Sequence, residues 1–258
     1  MKRRFLAGRP AIKDEKMDRI RISAAVATYN GERYIREQID SIWKNLSKED
    51  EIIISDDGSS DHTLEILKEY EGKEIPVKVI KGPGLGIKQN INAALKECRG
   101  EYIFLADQDD VWTDDKVEKV MQYLSREDCR LVTHDAKVMD AALMHVQMES
   151  FFAYRGSKAG FLNNLLKNRY MGCCMAFKSS LLPYVLPIPD EIEMHDQWIG
   201  MINDLLHGNS IFIPDKLLLY RRHDANVSDF SHGTVIEMLK KRIRLLKSIR
   251  KRQKLWKT

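Results

Sequence analysis

Residues 102–112 read Tyr-Ile-Phe-Leu-Ala-Asp-Gln-Asp-Asp-Val-Trp, an apolar run that drives straight into three carboxylates. Tyr102 to Ala106 has the length and composition of a buried strand, and Gly100 before it supplies a turn from a preceding helix. Asp107 and Asp109 stand two residues apart. If the extended backbone persists past Ala106, both side chains leave one face and can share a hard divalent cation. A cation held by only two carboxylates keeps positions open for a diphosphate, whose oxygens are also hard ligands and whose charge the metal offsets when a bond to it breaks. Taken alone, an Asp-x-Asp equally fits a solvated turn, and Asp114 or Asp115 is expected to cap the helix that follows. The pair needs support from the rest of the chain.

Working outward, the segments before it repeat one plan. Ile20 to Ala27 is an apolar, β-branched run ending in the turn signal Thr28-Tyr29-Asn30-Gly31, and Tyr34 to Leu46 places Ile35, Ile39, Ile42, Trp43 and Leu46 at helical spacing. Glu51 to Ser55 reads as a second strand, Asp56-Asp57-Gly58-Ser59-Ser60-Asp61 as a loop, and Thr63 to Tyr70 as a helix capped by Ser60 or Asp61. Val77 to Lys81 is a third strand, followed by the glycine loop 82–86 and a helix over Ile87 to Glu97. Helices between parallel strands imply an open, doubly wound α/β sheet whose ligands bind beyond the carboxyl ends of the strands. Residues 28–30, 56–57 and 107–110 all fall at such ends, so three polar loops converge on one crevice.

Downstream, Leu131 to Thr133 is a candidate fifth strand, and residues 139–168 suit surface helix and loop with Phe151, Phe152, Tyr154 and Phe161 covering one side of a cleft. Met171 to Phe177 is apolar, Ser179 to Val185 a short helix, and His195-Asp196-Gln197-Trp198 opens a helix running to about Leu206. Ile211 to Ile213 and Leu217 to Tyr220 read as two short strands leading into Arg221-Arg222-His223. The expected organisation is a polar leader (1–19), a main domain (20–233) with a nucleotide half (20–135) and an acceptor half (136–233), and a basic helical tail (234–258).

That tail holds ten Lys or Arg and one Glu, so the remaining 233 residues carry a net −5 against +4 for the whole chain. A basic tail without a basic groove leaves a nucleic-acid partner with little behind it. Val235 to Trp256 puts Leu239, Ile243, Leu246 and Ile249 on one stripe, which fits either a helix lying on an anionic membrane or one docked on its own domain. No stretch approaches the roughly 20 apolar residues of a membrane span, and residues 1–9 lack the apolar region of a signal peptide, so a cytoplasmic location is expected. Cys98, Cys129, Cys173 and Cys174 have no metal-type spacing and read as reduced, small core residues.

With Val-Ala-Thr-Tyr-Asn at 26–30, Ser-Asp-Asp-Gly-Ser-Ser-Asp at 55–61, Asp-Gln-Asp-Asp at 107–110 and His-Asp-Gln-Trp at 195–198 in this order, the sequence resembles the family-two inverting glycosyltransferases of GT-A fold. Tyr-Arg-Arg-His at 220–223, with Asn226 and Ser228, resembles the bacterial rhamnosyltransferase-like branch. The resemblance covers roughly 20–230. It implies that Ala27, Thr28 and Tyr29 line the nucleotide base pocket and that Asp57 accepts a hydrogen bond from the base N3 position, which suits uracil or thymine. It further implies Asp107 and Asp109 as metal and ribose contacts, and His223 as an added metal ligand that favours Mn²⁺ over Mg²⁺. Lys88 is a candidate for the diphosphate or a solvated helix lysine. Asp196 is the implied general base for inversion, a single displacement that needs no protein nucleophile. His195 replaces the Glu more common before it, which leaves the neighbour's role open; Gly172 and Cys173 would shape the acceptor side; Trp198 would stack on the acceptor sugar or sit in the core.

The implied reaction moves one sugar from a UDP- or dTDP-linked donor to a glycan or lipid-linked oligosaccharide of a bacterial surface polysaccharide, at the inner face of the plasma membrane. The Gln-x-x-Arg-Trp signature of processive synthases is absent. A dehalogenase-like phosphatase would carry its Asp-x-Asp on the first strand, not after three others. The glycine loop lacks the third glycine of the dinucleotide fingerprint and the Gly-Lys pair of a P-loop. The alternative of another class is a non-catalytic nucleotide-sugar-binding or scaffolding subunit of a membrane-associated glycan complex.

Overall fold

The computed structural model describes residues 20–224, 226 and 234–256, without the side chain of Val235; the leader 1–19, Ser228 and the rest of 227–233 lie outside the described residues. Four parallel strands form the first half of one sheet: β1 (Ile22–Thr28), β2 (Glu51–Asp56), β3 (Val77–Lys81) and β4 (Tyr102–Ala106). Their helices are α1 (Ile35–Asn45), α2 (Thr63–Lys68) and α3 (Ile87–Glu97). Strand β5 (Val111–Trp112) and helix α4 (Lys116–Leu124) follow, then β6 (Leu131–Met139), β7 (Val146–Met148), α5 (Phe151–Arg155) and α6 (Phe161–Leu166). A 3-10 turn at Gly172–Cys174 leads into β8 (Met175–Lys178), and α7 (Leu182–Val185), α8 (His195–Leu205), β9 (Ser210–Arg221) and α9 (Val235–Leu255) complete the described chain. Strand order in the sheet is β3-β2-β1-β4-β8-β6-β9-β5, with β7 on β6.

Every residue of β1 is buried, because the sheet is covered on both faces. Ala24 and Val26 pack with Ile35, Ile39 and Ile42 of α1 and with Trp112 on one face. Ala25 and Ala27 pack with Ile91, Ala94 and Leu95 of α3 and with the Trp198 layer on the other. The chain from β1 to β4 thus follows the expected doubly wound plan, with all four carboxyl ends at one edge.

Two expectations are revised. The segments 211–213 and 217–220 are one strand, β9, parallel to β6: His134 pairs with Ile213 and Asp135 with Lys216, so Pro214 and Asp215 bulge out where proline's missing donor does no harm. The fifth strand accordingly runs to Met139 rather than Thr133. The basic helix α9 does not present the predicted single stripe. Its second half buries Leu245 and Ile249 in the Trp198 layer, while Leu239 and Ile243 stay exposed.

Candidate active site

The backbone does not stay extended beyond β4; residues 108 and 109 bend. The two aspartates expected to share a face stay close enough for the charge of Asp109 to act on Asp107, but each has partners of its own. Asp107 turns toward Asp110 and Cys173, whose ligand atoms lie within 4.8 Å of one another, and Asp110 is the member the Asp-x-Asp reading missed. Asp110 is fully buried; one oxygen accepts the Arg221 N–H at 3.1 Å and the other has no hydrogen-bond partner. Asp109 faces the end of β9 instead, where its Oδ2 lies 2.8 Å from His223 Nε2 and accepts from Asn226 Nδ2 at 3.2 Å. Asn226 in turn accepts the His223 N–H at 2.7 Å, which fixes the imidazole beside Tyr34, 4.8 Å between ring centres. Arg221 clamps the arrangement: Nε donates to the Asp109 carbonyl, a terminal nitrogen to that of Ala141, and the guanidinium lies 4.7 Å over the Tyr34 ring.

Crowded carboxylates in a poorly hydrated place resist ionisation. Burial, then the charges of Asp109 and Asp196, push the Asp107 carboxyl up to about 7. Burial, then the charges of Asp109 and Asp107, hold Asp110 well above its ordinary value. Beneath them lies Lys116, a residue that reads in sequence as an ordinary helix lysine. It is buried, donates to the Cys173 carbonyl at 2.9 Å and sits 4.0 Å from the Trp112 ring centre. Burial lowers its ammonium to about 8, against the pull of Asp110 and Asp107. Cys173 is therefore more than core filling: its thiol faces the acids, and a hydrogen bond with the Cys174 thiol together with burial raises it well above the usual thiol range.

On the donor side, Thr28 Oγ1 and the Tyr29 N–H both donate to Gln108 Oε1, at 2.7 and 2.8 Å, and Gln108 Nε2 returns a bond to the Tyr29 carbonyl. Gln108, unremarked in the sequence, ties the β1 loop to the acid loop. The Tyr29 side chain is exposed, whereas Ala27 is buried in the α3 layer and contributes wall rather than contact. Asp57 accepts the N–H of Gly84 and of Gly86, each at 2.7 Å. Both glycines have positive φ (71° and 84°), a conformation that lets their amides converge on the carboxylate. The half-buried Lys88 is engaged within the protein: its ammonium donates to the carbonyls of Asp190 and Ile192 at 2.5 and 2.8 Å, fastening α3 to the loop before α8.

On the opposite side, Asp196 is buried in the first turn of α8 and its Oδ1 accepts from Asn168 Nδ2 at 2.9 Å and from the Gln197 N–H at 2.6 Å. Burial raises its carboxyl, opposed by His195. His195 is buried with no hydrogen bond to either ring nitrogen, and a Cβ at Gly172 would lie 2.6 Å from its Nε2, so any side chain there would push the imidazole aside. Trp198 does not reach any sugar. It is fully buried, its indole N–H donates to the Val185 carbonyl at 2.9 Å, and Arg252 of α9 covers the ring. An expected cap is also altered: Asp115 stands at the α4 N-cap, but its side chain pairs with Thr113 and Lys119.

These groups suit a divalent cation. Carboxylates crowded enough to hold protons, one with an orphaned buried oxygen, are what a hard divalent cation would relieve, and an imidazole lies beside them.

Comparison with known proteins agrees with this geometry. The chain is 28% identical to the glycosyltransferase GlyG of Streptococcus pneumoniae over 80% of this chain and 72% of that protein. The crystal structure of Staphylococcus aureus TarS 1-349 in complex with UDP-GlcNAc superposes with a TM-score of 0.67 at 21% identity, covering 90% of this chain and 66% of that one. The mannosyltransferase PcManGT of Pyrobaculum calidifontis, solved with GDP-Man and Mn²⁺, superposes with a TM-score of 0.64 at 18% identity over 80% and 58% of the two chains. The chain spans 59% of the length of its Mycobacterium relatives. The sheet and its flanking helices are those of the GT-A fold. The model of "Glycosyl transferase family 2" matches residues 23–184, more than half of the chain, which therefore belongs to that family.

Proposed function

We propose that this chain transfers one hexosyl or rhamnosyl unit, with inversion, from a nucleotide diphospho-sugar to a hydroxyl of a glycan or lipid-linked acceptor in bacterial surface polysaccharide assembly, at a cytoplasmic membrane face. The observation that carries the reading is the span Gly172–Cys173. Its cysteine faces Asp107 and Asp110 and its glycine packs on His195, next to Asp196, whose charge acts on Asp107; this supports a reading in which donor acids and acceptor base work side by side.

On this reading Thr28, Tyr29 and Asp57 receive the nucleotide. Each Asp57 oxygen keeps a lone pair beyond the amide it accepts, enough to take the N3–H of uracil or thymine. Asp107, Asp109, Asp110 and His223 would hold Mn²⁺ or Mg²⁺, which when bound offsets the charge left on the departing diphosphate. Asp196 takes the proton of the acceptor hydroxyl as that oxygen bonds to the anomeric carbon and the nucleoside diphosphate leaves. Asn168 and the Gln197 N–H anchor Oδ1 and so leave Oδ2 for the proton, and burial makes the carboxylate a stronger base.

Calorimetric titration with UDP, dTDP and GDP, each with and without Mn²⁺, on wild type and Asp109→Ala tests the donor side. Metal-dependent binding of one nucleotide, lost in the variant, is expected. An Asp196→Asn protein that still transfers sugar at the wild-type rate would remove the base assignment.

A further inference from the structure

We propose that α6 and the first half of α9 form a docking surface for an anionic lipid bilayer, which delivers a lipid-linked acceptor to Asp196. This rests on the transferase reading for its purpose but not for its test.

Helix α9 is divided. Its second half belongs to the protein: Leu245, Ser248, Ile249 and Arg252 are buried, and Arg252 donates to the carbonyls of Leu186 and Pro187. Its first half leaves Ile236, Leu239 and Ile243 between 44 and 67% exposed. Arg242 joins this half to the end of α6 by donating to the carbonyls of Leu165 and Leu166, and α6 exposes Leu162 and Leu166 at 72 and 63%. Two amphipathic helices, locked at one point, thus leave large aliphatic side chains in water. Single exposed leucines are ordinary, but five on two joined helices are not.

Charge identifies the occupant. Lys240, Arg244 and Lys247 of the same helix are exposed, the combination of aliphatic and cationic side chains that lies at the boundary of headgroups and acyl chains in anionic membranes. A second copy of the chain would bring like charges together. The surface also connects to the chemistry. Asn164 of α6 exchanges two bonds with Gln197, giving to its carbonyl at 3.2 Å and receiving from its side chain at 2.7 Å, and Asn168 just beyond holds Asp196. A bilayer on α6 would therefore lie beside the acceptor side of the cleft, where a lipid-borne sugar has to enter.

The test is cosedimentation of the full chain with vesicles of phosphatidylcholine alone or mixed with phosphatidylglycerol. The protein is expected to pellet with the anionic vesicles only, and Leu239→Asp with Ile243→Asp, Leu162→Asp, and Lys240→Glu with Lys247→Glu are each expected to weaken this by about tenfold or more at an unchanged melting temperature. Absence of pelleting, or pelleting that ignores the apolar replacements, would overturn the proposal. So would a dimer in sedimentation equilibrium that the apolar replacements dissolve, which would assign the surface to a second copy. Nucleotide titration without vesicles runs in parallel, so loss of donor binding with vesicle binding intact would strike the transferase reading instead.

Discussion

His223 Nε2 and Asp109 Oδ2 stand 2.8 Å apart across 114 residues of sequence, a direct side-chain link between the end of β9 and the acid loop at the end of β4. Asn226 bonds to both, so the pair is held before any ligand arrives. Replacing either His223 or Asp109 by Ala is expected to weaken Mn²⁺-dependent nucleotide binding by about 10–100-fold, the usual scale for disturbed metal surroundings. Titration calorimetry with and without metal reads it. Equal weakening in both conditions would mean that the pair only braces the loop.

Protons and metal should compete at Asp107. Its carboxyl is raised from 3.8 to about 7, so the folded protein holds a proton that the unfolded chain has released anywhere between these values. Metal-free stability from this group therefore falls as pH rises from about 4 to 7, and added Mn²⁺ restores it at the upper end. Below about pH 7, metal affinity should drop up to tenfold per unit for one displaced proton. Melting curves across this range with and without Mn²⁺ measure both, and Asp107→Asn should flatten them.

Trp198 is a matter of packing. Trp198→Ala should lose about 3–5 kcal/mol of stability, and Trp198→Phe, which keeps a ring but drops the bond to the Val185 carbonyl, distinctly less. Denaturant unfolding gives these values. The acceptor KM of the Phe variant should match wild type, and a raised KM with unchanged stability would return the ring to the sugar.

Gly172→Ala places a methyl 2.6 Å from His195 Nε2. The imidazole has to shift, at about 1–3 kcal/mol for an overpacked site, and it drags the first turn of α8 with it. Sugar transfer should fall while nucleotide binding persists, a split that rate and calorimetric measurements resolve.

The parallel half of the fold was legible because its signals are local. Runs such as Val77 to Lys81 and Tyr102 to Ala106, each closed by a glycine or an aspartate, coincide with β3 and β4. The mixed half, where β9 returns parallel to β6 among antiparallel neighbours, was harder to read, since Pro214 splits β9 in sequence but only bulges it in space. The site divides the same way. Asp107, Asp109, Asp196 and His223 were visible as motif residues; the charges of Asp109 and Asp196 both act on Asp107, and His223 bonds to Asp109. Asp110 stood in the same motif without a role and Lys116 drew no notice, because their parts come from burial beside Cys173, a residue more than 50 positions away. Lys88 and Trp198 each stayed between two readings for the converse reason, and Trp198 takes its core one: nothing local announces that carbonyls at 190 and 192, or a later helix, will claim them.

The three bonds of Gln108 carry an energetic consequence. A surface loop that orders itself around a ligand gives up conformational freedom at that moment, and the loss is deducted from affinity. Here the loops after β1 and β4 are stapled together by one amide, and Asp57 does the same for the loop after β3, so that freedom is surrendered once, during folding. Gln108→Ala would leave the acids in place yet make the donor wait for its own cleft to assemble, which a titration would record as a more negative binding entropy offset by heat.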